Sequence, residues 1–278
     1  HERYVKDRCA PKAPAAPGYL RTPSAPPMPE RLVIIPTYNE QENIRDILAH
    51  VLRLTPDFHV LVVDDGSPDG TAGIVREVQA GSNGRVHLLE RSGKLGLGTA
   101  YIAGFRWALE RGYGYIFEMD ADFSHDPDDL VRLYKACSEG GADMSVGSRY
   151  VKGGSTKGWP VQRELLSRGG NLWTQLMLGL PVKDATGGFV AWRATTLEGM
   201  GLDGIEAAGY GFQVEMVRRA IRAGFTIAEV PIEFVERELG NSKMSGKIVV
   251  EAMLLTTRWG LAYRLSQLKG LFGRKGAS

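Results

Sequence analysis

From Arg31 onward the chain alternates short apolar runs with stretches in which apolar residues recur every three or four positions. A short run bounded by polar or Gly-rich residues reads as a buried strand, and the longer period as a helix with one apolar face. Leu32–Ile35 predicts the first strand and Glu40–Leu54 its helix, with Ile44, Ile47, Leu48, Val51 and Leu52 on one face. Three further units follow: a strand at Val60–Val63 with a helix after Asp69, a strand at Val86–Leu89 with a helix over Thr99–Arg111, and a strand at Tyr115–Met119 with a helix after Pro127. Repeated βαβ units build a mostly parallel, twisted α/β sheet of Rossmann-like type, flanked by helices. Ligands of such sheets bind beyond the carboxyl ends of the strands, so the residues just after each apolar run are where chemistry is expected.

Those residues are acidic. The second strand is followed by Asp64-Asp65-Gly66-Ser67-Pro68-Asp69-Gly70, and the fourth by Asp120-Ala121-Asp122-Phe123-Ser124-His125-Asp126. The first cluster reads equally as a strand-to-helix turn, with Asp69 or Ser67 as N-cap and Gly66 at positive φ. In the second, Asp120 and Asp122 converge on one hard cation if the backbone turns beneath them, with Ala121 leaving room. Mg2+ or Mn2+ held by such a pair and by substrate phosphates neutralises the charge that develops on a departing diphosphate. The competing reading makes the pair solvated turn residues capping the next helix. His125 reads as a hydrogen-bonding turn residue rather than a ligand.

Composition narrows the rest. With 278 residues, 43% of them hydrophobic, the chain can bury one substantial core, so one catalytic domain with tails is expected. Lys and Arg number 34 against 32 Asp and Glu, which lacks the basic field a nucleic-acid binder uses to neutralise phosphates. Cys9 and Cys137 form no paired motif, so neither a disulfide framework nor structural zinc is indicated, and a reducing, cytoplasmic setting is expected. Residues 1–30 are crowded with Pro and Ala, without period, and read as a disordered linker joining an upstream module. Residues 31–247 form the expected catalytic domain. Across 248–278, Val250, Leu254, Thr257, Leu261, Leu265, Leu268 and Phe272 fall at alternating three and four spacing among Arg258, Arg264, Lys269, Arg274 and Lys275. This predicts a basic amphipathic helix, placed either on the cytoplasmic face of a membrane or docked on its own domain.

Taken together, Pro36 to Glu40 (PTYNE), Asp64 to Ser67 (DDGS), Asp120 to Asp122 (DAD) and Gly147 to Tyr150 (GSRY) resemble family 2 inverting glycosyltransferases of GT-A fold. The resemblance narrows to the dolichol-phosphate or polyprenol-phosphate mannose synthases through residues 93–101 (GKLGLGTAY), 159–163 (WPVQR), 184–189 (DATGGF), 209–213 (GYGFQ) and 237–243 (RELGNSK), and it covers Arg31 to Lys247. It implies transfer of mannose from GDP-mannose to a polyprenyl monophosphate. Pro36, Tyr38 and Glu40 would line the guanine and ribose, with Val63 and Asp65 also holding the nucleoside. Asp120, Ala121 and Asp122 would sit at the donor, the two aspartates carrying the metal. Ser124 stands where some relatives place a Gln of the metal shell, which implies contact through water. Arg149, Arg163 and Ser167 would face the acceptor phosphate, and Arg237 and Lys243 the donor diphosphate; Asp122, Arg149 and Arg163 would carry the catalysis. Relatives often add transmembrane helices, so an anchor from this tail or from a separate membrane module is expected.

An acceptor phosphate with a second pKa of ~6 is already largely dianionic and needs no strong base, so the expected work is positioning two anions and offsetting their repulsion. The rivals are a polyprenyl-phosphate glucosyltransferase using UDP-glucose, and a silent module that binds nucleotide-sugar. A nucleotidyltransferase would need a Gly-rich loop after the first strand, where PTYNE stands.

Overall fold

A computed structural model describes residues 30–205, 210–236, 253–254 and 256–261. The linker expected over 1–30 lies outside these residues except for Glu30, and so do Arg237, Lys243, Val250, Leu265, Leu268 and Phe272.

Among the described residues the main sheet has seven strands: β1 (Arg31–Thr37), β2 (His59–Asp64), β3 (Val86–Glu90), β4 (Tyr115–Glu118), β5 (Met144–Ser148), β7 (Val190–Arg193) and β8 (Ile227–Pro231). Their order is β3-β2-β1-β4-β7-β5-β8. All neighbours run parallel except β7, which is antiparallel to both β4 and β5. A separate parallel ribbon pairs β6 (Ser155–Lys157) with β9 (Glu233–Val235). The helices are α1 (Ile44–Leu52), α2 (Thr71–Gly81), α3 (Leu97–Glu110), α4 (Asp129–Ser138), α5 (Val161–Leu178), α6 (Ala194–Met200) and α7 (Tyr210–Arg222).

Alternate strand residues point to opposite faces, and each face builds its own core. Leu32, Ile34, Leu61, Val63, Ile116 and Trp192 pack with residues of α3, α6 and α7. Val33, Ile35, Val60, Val62, Phe117 and Ala191 pack with α1, α2 and α4. On the first face α3 lies so close to β1 that a Cβ at Gly104 would stand 2.8 Å from Ile34 Cγ2.

Several predicted boundaries move. The first helix begins at Ile44 instead of Glu40, because Asn39 takes φ 60 and residues 40–43 form a turn closed by Asn43 N–H donating to the Glu40 carbonyl at 3.1 Å. Leu52, expected on its apolar face, is only part-buried, whereas Ile44, Ile47, Leu48 and Val51 are buried. Gly66 takes the expected positive φ, but the N-cap of α2 is Gly70. The carboxylate of Asp69 accepts instead from the N–H groups of Thr71 and Gln41, at 3.0 Å each.

Part of the C-terminal stretch packs on the domain, one of the two placements expected for it. Thr256 and Gly260 are buried, Trp259 packs against the first core, and a Cβ at Gly260 would lie 2.6 Å from the Met177 carbonyl oxygen of α5. The Arg218 guanidinium sits 4.7 Å from the Trp259 ring. This face is docked on the domain, while Leu254 and Leu261 of the predicted stripe are 67% and 56% exposed. No helix of the described residues is long and apolar enough to cross a membrane.

Candidate active site at the carboxyl edge of the sheet

The loops leaving β1 and β2 are stitched together. Asn39 N–H donates to Ser67 Oγ at 3.0 Å and Glu40 N–H to Thr71 Oγ1 at 3.1 Å. The two adjacent aspartates do different work. Asp64 is 1% exposed, and its carboxylate accepts from Thr37 Oγ1 (2.8 Å), Ser67 N (2.9 Å) and Ser67 Oγ (2.6 Å), so it holds the loops. Asp65 instead meets Arg91: Nε donates to Oδ1 at 2.6 Å, and the NH2 group lies 2.5 Å from the same oxygen. Arg91 also donates to Thr99 Oγ1 at 2.8 Å and to the Gly96 carbonyl at 3.3 Å, tying Asp65 to the start of α3. Lys94, in the same glycine-rich segment, stands 4.7 Å from the Tyr38 ring, and Pro36 is part-buried beside Val63 in the β1–β2 register. The Val63 side chain is fully buried in the core, which leaves only its main chain to a nucleoside.

After β4 the backbone turns at Phe123. Phe123 takes φ 56, a left-handed conformation that costs a non-glycine residue roughly 1–2 kcal/mol and is tolerated where the surroundings impose it. The turn brings Ser124 N–H to Asp122 Oδ1 at 3.1 Å, fixing that carboxylate. Asp120 is part-buried, Asp122 8% exposed, and Ala121, 4% exposed, lies between them. Carboxylate oxygens are the hard donors that Mg2+ and Mn2+ take. Beneath them Glu118 is fully buried, accepting from Trp192 Nε1 at 2.7 Å and Gln213 Nε2 at 2.6 Å; burial nevertheless pushes its pKa up to about 7. Tyr101, buried behind the loop, is raised well above its usual pKa by desolvation and then by Asp120. Among the described residues a trio outside this pair, His50, Asp126 and Asp128, has ligand atoms within 4.8 Å of one another; its members are exposed or part-buried. His50 and Asp128 are paired at 3.0 Å.

His125 is 3% exposed and stacks on Phe189, with ring centroids 4.7 Å apart and planes 13° apart. Desolvation lowers its pKa to about 4, against the opposing pull of Asp122. The edge-on ring beside it is Phe234 of β9, at 5.3 Å, and that ring also lies 5.5 Å from the Arg149 guanidinium. Arg149 follows β5 and is clamped by Asp184: Nε donates to Oδ2 and NH2 to Oδ1, both at 2.7 Å, and the Arg149 N–H donates to Oδ2 at 3.0 Å. NH2 also donates to Thr186 Oγ1 at 3.0 Å. Glu229 holds the Asp184 loop by accepting from Lys183 N (2.9 Å) and Asp184 N (3.1 Å).

Arg163, Ser167 and Asn171 recur every four residues on the inward face of α5. Arg163 stacks 4.2 Å from Trp159 and pairs with Glu236. Ser167 accepts from Tyr150 O–H at 2.6 Å, and Asn171 accepts from Ala185 N–H at 2.9 Å. The acidic loop and Arg149 therefore meet at one ring, with Arg163 across Trp159, whose ring in turn contacts Phe234 at 5.3 Å. Sequence reasoning passed over Arg91, Asp184 as the Arg149 partner, Phe234 and Glu236. Only Arg91 carried a local signal, as the residue just past an apolar run.

The chain matches the family described as Glycosyl transferase family 2 over residues 32–200. It is 47% identical over 245 residues to polyprenol monophosphomannose synthase of Mycolicibacterium smegmatis, covering 88% of this chain and 92% of that one. It is 52% identical over 242 residues to undecaprenyl-phosphate mannosyltransferase of Micrococcus luteus, covering 87% and 98%. Among solved structures, glucosyl-3-phosphoglycerate synthase of Mycobacterium tuberculosis with phosphoglyceric acid superposes with a TM-score of 0.60 at 19% identity, over 82% of this chain and 79% of that one. The same enzyme with Mn2+, UDP-glucose and phosphoglyceric acid gives 0.57 at 19% identity, over 82% and 80%. At that identity the likeness is one of fold, the GT-A α/β architecture. This chain belongs to the family 2 glycosyl transferases and, within them, to the family of polyprenyl-phosphate mannosyltransferases.

Proposed function

We propose that the protein moves mannose from GDP-mannose to a polyprenyl monophosphate at a membrane surface, with Mg2+ or Mn2+ and with inversion at the anomeric carbon. The observation that supports this reading best is the Phe234 ring, which touches both His125 of the acidic loop and the Arg149 guanidinium, so the segment assigned to the donor's metal lies near an arginine assigned to the acceptor. Pro36, Tyr38, Glu40 and Asp65 hold the nucleoside side, with Arg91 fixing the Asp65 carboxylate. Asp120 and Asp122 hold the metal, with Ser124 orienting Asp122 through its N–H. When bound there, the cation offsets the charge gathering on the leaving diphosphate. Arg149, Arg163 and Ser167 receive the acceptor phosphate, whose oxygen attacks opposite the leaving group. The Arg163 guanidinium suits this anion, while Arg149, its Nε and NH2 taken up by Asp184, adds positive charge; the phosphate needs no deprotonation at neutral pH.

The outer face of α5 supports the membrane part. Val161 is 72% exposed, Leu165 65%, Leu166 47% and Leu172 55%, whereas Arg163 and Ser167 lie on the opposite face. A helix that buries this stripe in the lipid interface holds its inward arginine beside a phosphate whose polyprenyl tail stays in the bilayer.

The test is transfer of labelled sugar to a short polyprenyl phosphate, with GDP-mannose and UDP-glucose in parallel, with metal and with chelator. Chelator-sensitive lipid product from GDP-mannose is expected. Product from UDP-glucose alone would replace mannose by glucose, and lipid product from neither donor would overturn the reading.

A further inference from the structure

We infer that Glu236 competes with the acceptor phosphate for Arg163 and so sets which anions the acceptor site admits; this rests on the acceptor role proposed above for Arg163. The two arginines of that site are neutralised in different ways. Arg149 is locked by Asp184, which is 0% exposed and receives three of its N–H groups. Arg163 is paired through a single nitrogen, NH1, with Glu236, and the two side chains keep 21% and 27% of their surface accessible. Its Nε is buried and has no hydrogen-bond partner, although the Trp159 ring holds the guanidinium plane in place. The Nε–H lies on the NH2 side of the guanidinium, away from NH1, so the Glu236 carboxylate leaves it unmet, which is unfavourable for a buried donor.

The backbone of Glu236 is fixed. Its N–H donates to the Lys157 carbonyl at 2.8 Å, and the preceding Val235 N–H donates to the Ser124 carbonyl of the acidic loop at 3.1 Å. The side chain, being accessible, is the part that can turn away. A phosphate monoester brings two negative charges and three oxygens, enough to take NH1 and NH2 together, end-on, in place of the single carboxylate contact. A phosphodiester brings one charge, the same as the carboxylate it must displace. Glu236 therefore favours dianionic monoesters over monoanionic heads and keeps Arg163 oriented between turnovers.

The experiment compares wild type, Glu236→Gln and Glu236→Asp in steady-state transfer from GDP-mannose, with melting temperatures recorded alongside. In Glu236→Gln the KM for polyprenyl phosphate falls about three- to tenfold while the KM for GDP-mannose holds, and a monoanionic methyl ester of polyprenyl phosphate becomes a stronger inhibitor. Glu236→Asp restores the wild-type KM. On the wild-type chain, adding a short prenyl phosphate shifts the Arg163 Nε–H resonance. An acceptor KM that stays or rises in Glu236→Gln, or an unmoved Arg163 resonance, overturns the inference while wild-type transfer stands. Absence of lipid product from the wild type overturns the functional reading itself.

Discussion

At the residue scale, neighbouring carboxylates divide into ones that build the site and ones that serve it. Asp64 spends its oxygens on Thr37 and Ser67, while Asp120 and Asp122 stand on a turn that Phe123 holds at φ 56. We expect Asp120→Ala and Asp122→Ala each to lower metal-dependent transfer about a thousandfold, since stabilisation of leaving-group charge is worth several kcal/mol. Wild-type rates in both variants would remove the pair from the metal. Asp184 carries a different prediction. Replacing it by Ala leaves the buried Arg149 guanidinium without its main partner, which costs about 3–5 kcal/mol in urea unfolding as well as activity. The sequence displayed the acidic motifs, because these follow apolar runs, and the arginines only through the motifs of the resemblance. It did not display the pairings: Arg149 and Asp184 are 35 residues apart, and Arg163 and Glu236 are 73 apart, joined only when β5, β8 and β9 come to one edge.

At the element scale, the βαβ units were legible because each strand is a short apolar run followed by a clear helical period. The antiparallel β7 was not, since its four residues carry no period and its direction is set by the strands on either side. The same holds for the outward stripe of α5, whose exposure depends on which face the core takes. That stripe predicts a separable effect: Leu165→Glu with Leu172→Glu lowers binding to anionic vesicles several-fold in flotation. Unfolding free energy in solution shifts by no more than about 0.5 kcal/mol per site, as surface changes usually do. Undiminished flotation would shift the membrane contact from α5 to the C-terminal stretch, where Leu254 and Leu261 also face outward.

At the scale of the whole molecule, the sheet separates chemistry at its carboxyl edge from a titratable cluster near its other end. His59 opens β2 and His87 lies one residue into β3, with Tyr113 O–H between them at 3.2 and 3.4 Å. Arg85, Asp57 and Arg111 are the charged groups acting on them. Burial, reinforced by the neighbouring His87, lowers His59 to about 4, and burial with Arg111 lowers His87. A histidine whose folded pKa lies below its unfolded value of about 6.5 binds fewer protons in the native state. Its contribution is therefore complete above pH 6.5 and is lost as the pH falls from there toward 4. His125 acts in the same direction, whereas Glu118, raised to about 7, loses stability as the pH rises through that value. The total profile mixes the two signs, so the informative quantity is the difference between chains. We expect His59→Gln with His87→Gln to flatten, without abolishing, the fall in unfolding free energy between pH 6.5 and 4, measured by urea titration at each pH. Transfer at pH 7 is expected to stay near wild type, because the cluster lies away from the acidic loop and the arginines. An unchanged pH slope would mean that the two rings do not titrate with folding, and that the acid sensitivity belongs to His125 at the active edge.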